Sequence, residues 1–509
     1  MSADHSTGPA PGRGATLAPT LAPTPAPGAP AAPDRGTQSS EPGTQPGPGT
    51  APDPGPVPGP VPRPWSSVLD GSRRDTALAV ATDVAERSVD RRIICRALAL
   101  SARQTRYPEA IGWLPCGLAG GDAGIALLCG YLDRWLPDQG WDGVGHGFLT
   151  TGLEGVGQRA EQLNPGLYSG LAGTAFAVSA LSRGGTRYRR ALAALDNELA
   201  PRAWAVAARL AADRPGRPVS DFDLVSGASG LVATLLPGDG HGTPAPPAGA
   251  ALSALLGALV RLAVPDGLTA RWATPPELLG DPSARATYPY GNLNCGLAHG
   301  IPGPLSVLAL ALRAGHRVPG QVAAVRYLAD WLTAHRTDDR WGVNWPSALP
   351  LPAPDGRPPA PPPTAARSSW CYGSPGTARA LWHAGVALDD EKLRALAVEA
   401  ATAVLRRPVP ARQLYSPTFC HGIAGLLQTV LRFAHDTRLP QFTAGAEHLV
   451  DELLGHFDPA RPLGYAAVEP GDNRVDRPGL LDGAAGIAMV LLAAATDTEP
   501  GWDRLFLLS

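Results

Sequence analysis

Two cysteines and a histidine occupy matched places in this chain. Cys371, in the stretch WCYGSPG (Trp370–Gly376), and Cys420, in FCHGIAG (Phe419–Gly425), each stand two residues before a Gly-x-x-Gly motif. They lie 49 residues apart, and His421 follows Cys420 directly. Two thiolates and one imidazole are donors that Zn²⁺ takes tetrahedrally, and three protein donors leave a fourth position open, as in catalytic rather than closed structural sites. Singly, each residue reads more simply as a core cysteine or a hydrogen-bonded histidine. Their equivalent positions favour the metal reading. Near other copies of the motif stand further candidates: His299 one residue before Gly300, Tyr372 one before Gly373, Arg367 six before Gly373, and Asp223 four before Gly227. Asp122 and Asp482 also mark motif starts and read as helix N-cap carboxylates. Cys95, Cys116 and Cys129 lie outside any such set and read as structural, and Cys295 is ambiguous. His335 and His383 read as structural or surface groups.

Such residues converge only if the chain repeats. The motif occurs seven times, with first glycines at 121, 170, 227, 300, 373, 422 and 483, each followed by an apolar run of helical length. The spacings of 49, 57, 73, 73, 49 and 61 residues leave room for two helices per repeat. Between the motifs lie amphipathic stretches such as Tyr188–Ala211, Val322–His335 and Ala444–Phe457. Helices apolar nearly all round belong inside, and amphipathic ones outside. The pattern predicts an all-α fold, an α/α toroid with seven inner and seven outer helices, the motif-bearing ends forming one rim. An open solenoid is the alternative, though solenoids usually keep a stricter period. No comparable strand pattern appears.

Composition sets the remaining bounds. Of 56 prolines in 509 residues, 18 fall in the first 64. That Pro/Ala/Gly-rich stretch is expected to be a disordered tail (1–64), with one domain over 65–509. Pro237–Gly249 and Pro346–Pro363 read as long surface loops. A net charge of −2 carries no electrostatic footprint for nucleic acid. Six cysteines are too few for a disulfide framework. The N-terminus lacks a secretory pattern, and apolar runs such as Leu305–Leu312 and Ala484–Ala495 fall short of the ~18 residues of a membrane span. A cytoplasmic protein is expected.

The motifs WCYGSPG, FCHGIAG and LAHGIPG (Leu297–Gly303), with the seven-fold repeat, closely resemble the lanthionine synthetase C-like family over roughly residues 70 to 509. The resemblance implies zinc ligands at Cys371, Cys420 and His421, and active-site roles for Asp223, His299, Arg367 and Tyr372. It implies a stand-alone lanthipeptide cyclase that adds peptide cysteine thiols to dehydroalanine or dehydrobutyrine, closing thioether rings. His299 is then the candidate proton donor, Asp223 its partner, and Arg367 the candidate stabiliser of developing charge. Arg367 and Asp223 could equally form a structural ion pair, and Tyr372 could simply pack. The implied partner is a dehydrated precursor peptide with a leader segment, with a separate dehydratase and an export transporter as further candidates. The long Pro-rich tail is a departure from the family pattern.

Two other readings compete. One is a cyclase-like zinc protein that holds a thiol peptide or glutathione without closing rings. The other is a different toroid enzyme, a zinc prenyltransferase or an α/α glycosidase. The former's zinc site contains a carboxylate, and the latter uses a carboxylate pair rather than sulfur and histidine.

Overall fold

A computed structural model describes residues 63–108, 112–159, 161–237, 246–264, 270–355 and 363–509. Residues 1–62 of the expected tail lie outside them, as do 238–245 and 356–362 of the two expected loops.

Each apolar run is a helix, and the motif glycines mark where it begins. The inner helices are α3 (Asp122–Trp135), α5 (Leu171–Leu181), α7 (Ala228–Leu235), α10 (Pro302–Arg313), α12 (Ser374–Ala387), α15 (Ile423–Thr437) and α17 (Ala484–Ala495). In six of them the first glycine of the motif is the N-cap residue; α10 starts two residues after Gly300, with Pro302 at its first position. Proline suits that position because its missing N–H would have no helical partner there. The outer layer comprises α1 (Gly71–Val89), α4 (Trp141–Arg159), α6 (Arg189–Ala211), α8 (Pro246–Ala263), α11 (Gln321–Ala334), α13 (Glu391–Arg406) and α16 (Pro440–Leu454). Helix α2 (Arg91–Gln104) and the short helices α9 (Pro282–Thr287) and α14 (Val409–Arg412) lie in the connections.

The inner helices touch in cyclic order, α3 to α5, α7, α10, α12, α15 and α17, and α17 returns to α3. The ring is closed, not an open solenoid. Every described residue of α17 is buried, whereas α16 buries one stripe, Phe442, Ala446, Leu449, Val450 and Leu453. That contrast is the apolar-inside, amphipathic-outside division of a two-layer barrel. Among the described residues, no helix is long and apolar enough to cross a membrane.

The structure adds elements absent from the helical expectation. Three antiparallel ribbons of three-residue strands occur: β1 (Asn292–Asn294) with β4 (Ala348–Pro350), β2 (Thr337–Asp339) with β3 (Gly342–Asn344), and β5 (Ala467–Glu469) with β6 (Asn473–Val475). Strand β4 lies in the expected Pro346–Pro363 loop, and α8 begins at Pro246 inside the expected Pro237–Gly249 loop. Strands this short carry too few residues for alternation to register.

A belt of backbone hydrogen bonds joins the segments leading into the inner helices. Leu118 donates to Tyr168 (2.9 Å), Leu167 to Val225 (3.0 Å) and Leu224 to Ala298 (3.0 Å). Cys371 donates to Cys420 (3.3 Å), Cys420 to Leu481 (3.0 Å) and Leu481 to Ala119 (3.1 Å). These bonds fix the rim-facing residues of neighbouring repeats in register. Between the fourth and fifth repeats the link is through side chains: Asn294 Nδ2 donates to the Tyr372 hydroxyl at 3.2 Å.

Candidate metal centre

The belt bond from Cys371 N–H to the Cys420 carbonyl brings the two cysteine segments side by side. The donor atoms of Cys371, Cys420 and His421 all lie within 4.8 Å of one another, with Cys371 buried and the other two half-buried. The motif's second glycine explains the local fold. A Cβ at Gly376 would lie 2.2 Å from the Trp370 carbonyl oxygen, and one at Gly425 2.0 Å from that of Phe419. Each lead-in therefore folds directly onto its helix start, where only a bare backbone fits. Ser369 Oγ lies 3.4 Å from Cys371 Sγ and accepts from Tyr372 N–H at 3.2 Å, bracing the cysteine turn.

The pair of thiols behaves as a unit. The hydrogen bond between them, with support from His421, draws Cys371 well below an ordinary thiol, while that same bond and burial push Cys420 up. Burial disfavours a charged His421, but its hydrogen bond to Cys371 and the Asp482 charge outweigh this and raise its pKa. Two thiols that prefer to share one proton beside an imidazole form a soft S/S/N set, and the chemistry of that set fits zinc.

A second group adjoins the cluster. His299 Nδ1 lies 2.7 Å from Asp223 Oδ2, and Asp223 Oδ1 accepts the backbone N–H groups of Ser226 (2.8 Å) and Gly227 (2.9 Å). Asp223 is thus held at the start of α7 with one oxygen aimed at the imidazole. A carboxylate can only accept, so it holds the proton on Nδ1 and leaves His299 Nε2 unengaged by the pair. Burial lowers the His299 pKa, but the Asp223 hydrogen bond, its charge and the Cys371 charge more than reverse this, for a net rise. Tyr372 is raised chiefly by burial, with the charges of Cys371 and Cys420 adding to it. Arg367 acts on the same cluster, its charge opposing that of Cys420. The alternative Arg367–Asp223 ion pair does not form: Asp223 engages His299, and among the described residues Arg367 has no ion-pair partner.

Two expectations are corrected. Asp482 does not cap α17, whose N-cap residue is Gly483 with no side-chain cap bond. Its Oδ1 is buried without a hydrogen-bond partner and faces His421 Nδ1 at 3.9 Å. The Cys420–Leu481 belt bond produces this placement, since the residues following each partner then lie side by side. Asp122 does not cap α3; it is the helix's first residue, paired with Arg91 and accepting from Trp113 Nε1 at 3.0 Å. A carboxylate at a helix start looks the same in sequence whether it caps or reaches sideways. Position one before the seventh motif, equivalent to His421 in the sixth, was the available signal for Asp482. His383 and His335 are structural, bonded to the Leu507 and Trp331 carbonyls.

Residues 112–507 match the sequence pattern of lanthionine synthetase C-like proteins. The chain belongs to the lanthionine synthetase C-like family. A curated relative, "Nisin biosynthesis protein NisC" of Lactococcus lactis subsp. lactis, is 24% identical over 172 residues, 32% of this chain. The matched stretch spans 40% of that protein's length. Among solved structures, "Nisin cyclase" superposes with a TM-score of 0.66 at 20% identity, covering 82% of this chain and 97% of that one. At that identity the likeness shows the fold, an α/α toroid.

Proposed function

We propose that residues 65–509 form a zinc-dependent lanthipeptide cyclase, which adds cysteine thiols of a dehydrated precursor peptide to dehydroalanine or dehydrobutyrine to form (methyl)lanthionine rings. The observation that carries this reading is the Cys371/Cys420/His421 donor cluster, with Cys371 close enough to the Asp223–His299 pair for its charge to act on His299. Family membership and the names of the two relatives support it. Cys371, Cys420 and His421 would hold the zinc. A bound zinc would supply a Lewis acid favouring thiolate over thiol near neutral pH, where a free cysteine of pKa about 8.5 is mostly protonated.

The reaction forms one C–S bond and one C–H bond. As the substrate sulfur joins the β-carbon, the alkene electron pair moves toward the α-carbon and its carbonyl. His299, held by Asp223 through Nδ1, delivers a proton from Nε2 to the α-carbon. Arg367, without an ion-pair partner among the described residues, would offset the transient negative charge on the carbonyl oxygen, with Tyr372 as a further donor. One proton leaves the thiol and one reaches carbon, so the product mass equals that of the substrate.

The substrate is a precursor peptide with its leader segment, dehydrated beforehand by a separate dehydratase, and an export transporter would act on the product. All six cysteines are free, which suits the reducing conditions of the cytoplasm. The test follows loss of alkylatable thiols at constant mass in a dehydrated peptide. Wild-type protein should close rings and carry about one zinc per chain. Cys420→Ala should do neither, and equal rates for the two proteins would overturn the reading. A tight thiol complex without product would favour a binding protein instead.

A further inference from the structure

The centre of the inner ring is filled by residues that follow the last inner helix. Gly501–Phe506 forms a short 3₁₀ turn, and Trp502, Leu505, Phe506, Leu507 and Leu508 are all buried. Four successive carbonyls of this closing segment are each held by an inner-ring side chain. Leu505 O accepts from the Tyr168 hydroxyl (3.0 Å), Phe506 O from Trp370 Nε1 (2.9 Å), Leu507 O bonds His383 Nε2 (3.1 Å), and Leu508 O accepts from Arg379 Nε (2.6 Å). Asp503 is clamped by Arg432 through both carboxylate oxygens, at 2.6 and 2.7 Å, and by Gln428 at 2.7 Å.

This scaffold delivers one ring to one place. Phe506 stacks on Phe419 with centroids 3.8 Å apart and meets Trp370 edge-on at 5.1 Å. Phe419 immediately precedes Cys420, and Trp370 immediately precedes Cys371. The residues before both cysteines therefore rest on a single aromatic ring supplied from more than 80 residues further along the chain.

We propose that Phe506 is a positioning residue for the metal centre, forming the floor that sets the Cys371–Cys420 separation. The inference rests on the zinc-site reading above. A tetrahedral site tolerates ligand distances only within about 0.2 Å of ideal. Removing Phe506 opens a void into which Trp370 and Phe419 can each move further than that. The neighbouring Cys371–Cys420 backbone bond, at 3.3 Å, is the longest of the belt bonds named above and so the weakest hold on that separation.

The experiment loads full-length wild type, Phe506→Ala and Phe506→Leu with Co²⁺ and records the thiolate-to-cobalt charge-transfer absorption. Affinity is then measured by competition against a chelator. Phe442→Ala, which deletes a buried ring of outer helix α16, controls for general loss of packing. Phe506→Ala is expected to weaken metal binding by about 10–100-fold, the range found when groups supporting metal ligands are removed, and to shift the absorption band. Phe506→Leu, which keeps much of the volume without the flat stack, should fold and show a smaller shift in the same direction. Phe442→Ala should keep the wild-type spectrum. If Phe506→Ala does not fold, the Phe506→Leu spectrum decides, and a wild-type band there overturns the proposal. So does an equal loss in Phe442→Ala. Failure of wild type itself to bind cobalt would instead remove the zinc-site reading.

Discussion

His299 shows how two neighbours decide a proton's address. Burial alone would favour the neutral ring, yet the hydrogen bond and charge of Asp223, with the charge of Cys371, outweigh it and raise the pKa. Its folded pKa therefore lies above the ordinary histidine value of about 6.5. The unfolded chain releases that proton first as pH rises. The pair's contribution to stability is accordingly complete below about 6.5 and lost as pH climbs through the raised folded value. The same shift governs the proposed proton delivery, which ends on the alkaline side of that value. Asp223→Asn should move the alkaline limb of the rate profile to lower pH while zinc content stays at wild type. A pH–rate series on both proteins reads this directly, and an unmoved limb would disconnect Asp223 from His299. Cys371, Cys420 and His421 were legible because repeat position and chemical type agreed, whereas the roles of Asp223, His299, Arg367 and Tyr372 came from the family resemblance. Asp482 was misread because a carboxylate at a helix start has the same local pattern whether it caps or faces a neighbour, and its one cue was a repeat position matching that of His421.

The working unit at the next scale is the lead-in and the first turn of its inner helix. Gly373 shows what that unit demands. Its φ is +83°, and a Cβ there would lie 2.1 Å from the Arg367 carbonyl oxygen. Gly373→Ala must both enter a region that L-residues avoid and push back the lead-in segment carrying Arg367 and Cys371. A loss of about 1–3 kcal/mol is expected from the backbone strain, with zinc content falling alongside the denaturation midpoint. Unchanged zinc at reduced stability would show that the lead-in yields elsewhere. Inner-helix starts were readable to within two residues because glycine and proline punctuate them, whereas the outer stretch read from Ala444 begins four residues earlier, at Pro440. The ribbons were not, since β1 pairs with β4 across more than 50 residues and its three-residue pattern is dictated by that partner rather than by local preference.

At the scale of the molecule, buried Arg379, Arg432 and Asp503 hold the closing segment. Arg432 is buried, and the Asp503 carboxylate facing it is 0% exposed. Breaking a buried pair from one side strands the other charge, which typically costs 3–5 kcal/mol. Asp503→Asn keeps the shape and removes the charge. About that loss should appear in chemical denaturation, tempered by the remaining Arg432–Glu499 contact at 2.7 Å. A change below about 0.5 kcal/mol, the usual range for surface substitutions, would mean the segment is held by its carbonyls and aromatic rings instead. The sequence WDRLFLLS carried no sign of this role. Short, mixed and unlike any repeat, it has meaning only once seven helices surround it.

Closure of the ring has a consequence for how the protein comes apart. In an open array of repeats, an end unit contacts one neighbour and can fray while the rest stands. Here α17 meets α3, and α1 packs on α17, so every inner helix has two neighbours. Melting any one repeat sacrifices two interfaces at once, and it also loosens the shared hub of residues 501–508. Partial unfolding thus has no inexpensive starting point, and denaturation should proceed as one sharp transition, with the metal site and the far side of the ring lost together.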